Sequence, residues 1–268
     1  MYRPREEDHE RGIIGTVIAF TLPGGLSIVS FSLSLGIGAV IGLAWIAVRG
    51  KPKEIPVHLD AGLAAVLGGL VGGRIAYGIV HFAYFRDHLV DLILLPLGGL
   101  SWPGAVIGVV LTLWVVALLR KQPVLSLMDA LLPMATTVAI SAWLACWLGG
   151  FAYGQTLDAW WAIPSRDEWG VMAARLPVQL LGAILTLGLL WLVEWRQPSK
   201  AVAGQMALRW ALGFSLIMLF LTWLRADPAP LWLGLRLDAW AAILFLGFST
   251  AGLYFFETRI KDFVEKEI

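Results

Sequence analysis

Long apolar runs, separated by short clusters of charge, make up most of this chain. Seven runs are of membrane-crossing length, at 26–48, 60–82, 99–119, 127–149, 177–195, 207–224 and 231–255. A helix crosses the hydrocarbon core with about 20 apolar residues. The pattern predicts an all-α polytopic membrane protein of seven transmembrane helices, with a seven-helix core over 26–256. Ahead of it, the mixed-charge start MYRPREEDHERG leads into a short run, Ile13 to Leu22, that stops at Pro23, Gly24 and Gly25. It lacks the basic start and cleavage motif of a signal peptide. Residues 1–25 therefore read as a tail plus an interfacial or re-entrant segment. With no long linker, 1–268 reads as a single membrane domain ending in a cytoplasmic tail, 257–268.

Charge placement orients the bundle. Lys51, Lys53, Lys121, Lys200, Lys261 and Lys266 are all the lysines, and they fall in alternate loops on one side. The positive-inside rule makes that side cytoplasmic, and an odd number of spans then puts the N-terminus outside and the C-terminus inside. Arg86, Arg166, Arg175, Arg225 and Arg236 lie on the other side and reduce the asymmetry.

Polar chemistry is concentrated between Gly68 and Gly104. Arg74, Tyr77 and His81 share one face of the second span. An intramembrane arginine marks a functional site or ties helices together. His81, one turn beyond Tyr77 on that face, is a weak candidate base, with an ordinary interfacial hydrogen bond as the alternative. The pairs Gly68 with Gly72 and Gly69 with Gly73 permit close helix approach. Beyond them, Val90 to Leu97 is too short to cross and predicts a re-entrant or interfacial segment before the third span. Gly98-Gly99 and Pro103-Gly104 break regular structure there, as happens beside a cavity.

Composition narrows the classes. At 59% hydrophobic and 15% charged residues the chain is not an ordinary soluble domain. Its net charge of +1 carries no bias toward nucleic acid. The single cysteine, Cys146, excludes an intrachain disulfide, and His9, His58, His81 and His88 have no metal-ligand spacing, so neither a metal nor a cofactor is expected.

The ordered series GGRIAY, GGLSWPGAVIG, GGFAYG and RLPVQLLGA resembles the bacterial prolipoprotein diacylglyceryl transferase family, over about Leu26 to Phe256. The resemblance implies a multi-pass protein of the bacterial cytoplasmic membrane that moves a diacylglyceryl group from phosphatidylglycerol to a lipoprotein precursor's cysteine thiol. Its implied partners are a membrane phospholipid and a lipoprotein precursor. Arg74 and Tyr77 match the family's Arg and Tyr, while Gly98, Gly99, Leu100, Ser101, Gly154, Pro177 and Gln179 match motif positions. On this reading Arg74 and Tyr77 address a headgroup phosphate, supplemented by Arg175 and Arg225. The reactive positions differ. Pro103 stands for a histidine; Trp143, Cys146, Gly149 and Phe151 stand for Arg, Asn, Asn and Glu; Leu176 stands for a second histidine. Met218 and Thr222 fall at a further Arg and Glu, and Val29 or Phe31 at a tyrosine. No complete acid-base set remains, so the catalytic residues are unknown.

Three function classes follow: a phospholipid-binding, transferase-like protein that is an enzyme or a pseudoenzyme; a non-enzymatic lipid- or lipoprotein-binding protein; and a small-solute transporter. The last predicts matched broken helices in two halves, a symmetry the sequence lacks.

Overall fold

The computed structural model describes residues 18–21, 27–93, 99–196 and 202–267. A hairpin of β1 (Ile18–Thr21) and β2 (Ser27–Val29) leads into α1 (Ser30–Arg49). Next come α2 (Ile55–Val80), α3 (Phe82–Phe85), a 3-10 turn at Leu89–Leu92, and α4 (Trp102–Arg120). The short α5 (Val124–Ala130) precedes α6 (Leu132–Gly149), and a hairpin of β3 (Ile163–Arg166) and β4 (Met172–Arg175) precedes α7 (Val178–Trp195). The chain ends with α8 (Gln205–Leu224), a hairpin of β5 (Leu231–Trp232) and β6 (Leu235–Arg236), and α9 (Leu237–Glu267).

Among the described residues seven helices, α1, α2, α4, α6, α7, α8 and α9, are long and apolar enough to cross a membrane, as expected. Four starts move by four residues or more, the second span beginning at Ile55 instead of 60 and three others later than expected. The first span begins at Ser30 because 27–29 pair as a strand. The fourth begins at Leu132, with α5 set apart from it. The seventh begins at Leu237, because 231–236 form a hairpin, of which 231–235 is as apolar as the helix that follows. Of the expected 1–25 segment only β1 is described. Of the segment expected before the third span, Leu89–Leu92 forms the 3-10 turn, while 94–97 lie outside the described residues.

Small residues set the closest helix contacts. On α2, a Cβ at Gly68 would strike Thr112 and one at Gly72 would strike the Gly104 carbonyl, so α2 and α4 meet backbone to backbone. Gly38 and Gly42 bring α1 equally close to Ser141, Thr137 and Met134 of α6. Larger side chains fill the rest. Ile46, Leu113, Leu127, Leu131 and Met134 form one core toward the lysine-bearing end, and Leu132, Leu189, Leu190 and Val193 form another. A third, around Trp143, lies between α6, α7, α8 and α9.

Candidate functional site

Two polar groups and one apolar cluster contain nearly all the candidate residues. The first group is built on Arg74, on the second turn from the end of α2 and 5% exposed. Its Nε donates to the Leu92 carbonyl at 2.9 Å, its Nη1 to the Gly99 carbonyl at 2.9 Å, and its Nη2 to the Asp91 carbonyl. The guanidinium also lies over the Phe85 and Tyr77 rings, at 5.4 and 5.8 Å. Its fork thus ties α2 both to the 3-10 turn and to Gly99 ahead of α4. Gly99, at φ +81°, fits only without a side chain, since a Cβ would enter the Tyr77 ring. The Ser101 N–H donates to the Gly73 carbonyl at 3.0 Å, starting α4 against α2. Tyr77 stacks on His81 at 4.1 Å, and His81 Nδ1 donates to the Tyr77 carbonyl at 3.0 Å. Gly98 lies outside the described residues.

The second group joins the loops after α6 and α8. Gly154 bridges Arg225 as an isolated antiparallel pair, and the Ala226 N–H donates to the Tyr153 carbonyl at 2.8 Å. Gln179, 2% exposed, donates to the Phe151 carbonyl at 2.9 Å and fixes where that loop leaves α6. Arg175 lies 4.5 Å from the Tyr153 ring centroid and donates to Asp167 at 3.0 Å. Tyr153 in turn donates to Glu168, and burial together with that bond raises its pKa above the usual phenol value.

Arg225 forks onto both oxygens of Asp227 at 2.8 and 2.6 Å and reaches Asp238 at 3.0 Å. Arg236 binds the Asp227 carbonyl at 2.7 Å and its carboxylate at 3.1 Å. Burial alone would favour a neutral Arg225, but Asp227 and Asp238 outweigh it and hold the guanidinium above its ordinary pKa. Both arginines singled out from the sequence here are therefore ion-paired. Their partners Asp167, Asp227 and Asp238 were not among the candidates; the one trace of them in the sequence is the Arg225-Ala226-Asp227 spacing.

The apolar cluster collects four of the replaced positions. Trp143 and Met218 are buried in it, with Val178, Ala183, Leu221 and Ala242, and Cys146 and Leu176 pack against it. A Cβ on Gly182 would enter the Trp143 indole, so α7 accepts that ring only because of its glycine. Thr222 is buried next to this cluster, its hydroxyl donating to the Met218 carbonyl at 2.7 Å. No group of three metal-ligating side chains occurs among the described residues.

Seven membrane-length helices with their polar clusters in the connecting loops define a multi-pass membrane protein. The chain matches the family model for prolipoprotein diacylglyceryl transferase over residues 17–255, and it belongs to that family, a family of the bacterial inner membrane. It is 28% identical over 194 residues to a phosphatidylglycerol–prolipoprotein diacylglyceryl transferase of Pseudoalteromonas translucida, covering 70% of each chain. A Streptomyces griseus protein of the same name is 31% identical over 206 residues, 75% of this chain and 62% of that one. One from Bordetella parapertussis is 25% identical over 241 residues, covering 84% and 90% respectively.

Proposed function

We propose that the protein is a non-catalytic member of its family, which keeps the helical frame and meets phospholipid or a lipoprotein precursor without alkylating a thiol. One observation carries this reading. Four positions at which the family resemblance expects reactive polar groups, Trp143, Cys146, Leu176 and Met218, meet in a single packed apolar cluster. Loss of one positioned acid or base typically costs about 10²–10⁴ in rate. Loss of a whole set, with an indole filling the space, leaves no route for the thiol proton.

In this reading Arg74, Arg175 and Arg225 shape the loops rather than grip a phosphate, since each is held by carbonyls or carboxylates of its own chain. His81 serves as a stacking partner of Tyr77. The test is a transfer assay with the full chain in vesicles of labelled phosphatidylglycerol and a lipobox peptide, with co-purified lipid identified by mass spectrometry. The expected result is no labelled peptide, with phospholipid retained by the protein. Peptide labelling that tracks protein amount would overturn the reading.

A further inference from the structure

The short β5–β6 hairpin combines features that are unfavourable in water. Its two-residue turn, Leu233-Gly234, has positive φ at both positions, +50° and +78°, the geometry of a type I′ turn. Such turns take Asn, Asp or Gly first, because a bulky side chain is strained in the left-handed region. Here the residue is leucine, and it is 74% exposed. Its neighbours Leu231 and Trp232 are also exposed, at 67% and 56%.

The hairpin's one charged side chain is turned away from that surface. Arg236 pairs with Asp227, and its side chain is only 14% exposed. The Arg225–Asp227–Asp238 network thus fixes the base of the hairpin and leaves its outer surface wholly apolar.

Position identifies what meets that surface. β6 ends at Arg236 and α9, a membrane-length helix, begins at the next residue. The Trp232 and Trp240 rings pack at 5.2 Å, and Trp240 Nε1 donates to the Trp232 carbonyl at 2.9 Å. Trp240 is three residues into α9, about 4.5 Å along its axis. The hairpin therefore packs on the first turn of α9, at the end where that span begins, with an aromatic pair suited to the interface.

We propose that β5–β6 is an interfacial anchor, its Leu231–Leu233 tip inserted among the headgroups and upper acyl chains of the bilayer that α9 crosses. The occupant of this surface is lipid, and the attraction is apolar burial rather than charge.

The full chain can be labelled at single sites, since Cys146→Ser removes its one cysteine. On that background Leu233→Cys and, separately, Leu231→Cys carry a nitroxide in phosphatidylcholine vesicles, with Lys53→Cys as the water-facing reference. Power saturation compares collisions with oxygen and with a water-soluble nickel chelate. The expected result is oxygen-favoured collision at 231 and 233, nickel-favoured collision at 53, and no change when phosphatidylglycerol is added. Position 231 lies on a regular strand, so it reports even if the strained turn does not accept substitution. Nickel-favoured collision at both hairpin sites would place the tip in water and overturn the proposal. So would shielding from both reagents or dipolar broadening, which would mean protein or a second copy covers it, and so would insertion that required the anionic lipid.

Discussion

Arg74 shows how one side chain can look like a ligand site and act as a joint. Its three carbonyl partners come from Asp91, Leu92 and Gly99, residues 17 to 25 positions further along the chain. Removing it would leave those acceptors buried beside an apolar helix, and hydrogen bonds to a charged group contribute about 1.5–3 kcal/mol each. Arg74→Met should therefore lower the unfolding temperature in detergent strongly. Arg74→Lys should rescue little, because an ammonium cannot fork across three carbonyls. Lipid bound per folded molecule should not change in either. A lysine variant that melts like the parent but loses its lipid would instead make Arg74 a headgroup ligand. The sequence singled out Arg74, since a charge among apolar residues is conspicuous. It could not reveal the partners, because main-chain carbonyls have no signature and the acids that neutralise Arg175 and Arg225 look like any loop aspartate.

Between elements, small positions decide which helices touch, and the Trp143–Gly182 contact of α6 with α7 is the clearest case. Trp143→Ala should cost about 3–5 kcal/mol through the cavity it leaves, and Gly182→Ala about 1–3 kcal/mol through overpacking. The double variant should be less destabilised than their sum, because the new methyl enters the space the indole vacates. Additive losses in thermal or denaturant unfolding would mean the contact is not shared. A second joint is Asp129 of α5, which caps α8 from outside by accepting the Gly204 and Ala207 N–H groups at 2.6 and 2.8 Å. Asp129→Asn would turn an amide donor toward one of them, at a cost of about 1 kcal/mol. Burial raises the Asp129 pKa more than those bonds lower it. A raised folded-state value means its contribution is complete below the ordinary carboxylate range and is lost as pH rises through the shifted value. The stability gap between parent and Asp129→Asn should thus narrow from acid toward neutral pH, which melting curves across that range would check. The helices themselves were legible because length and apolarity suffice to mark a span. The β5–β6 hairpin was not, because 231–235 is as apolar as the helix that follows and only the Leu233-Gly234 turn within it marks a break.

On the scale of the whole molecule, consecutive spans reverse direction, so the loops alternate between two ends of the bundle. The three hairpins of the described residues lie at one end, β1–β2 ahead of α1 and the other two in connections that the Gly154–Arg225 bridge joins. Lys51, Lys53 and Lys121 belong to connections at the other. Arginines at the hairpin end offset this difference only in part, since Arg175, Arg225 and Arg236 are each paired with an aspartate inside the fold and only Arg86 and Arg166 of the five are exposed. Lys51, Lys53 and Lys121 are exposed, and Lys51 pairs with exposed Glu54. Exposed positive charge is what resists translocation and binds anionic headgroups, so the lysine-bearing end should face the cytoplasm. With seven spans, this orientation predicts the C-terminus inside and the residues before α1 outside. A green fluorescent protein fused after Ile268 should fluoresce, while alkaline phosphatase fused at the same point should be inactive. Phosphatase inserted at Gly170, in the β3–β4 connection, should be active. The reverse pattern at both sites would invert the bundle, and activity at both would mean that one of the seven helices does not cross.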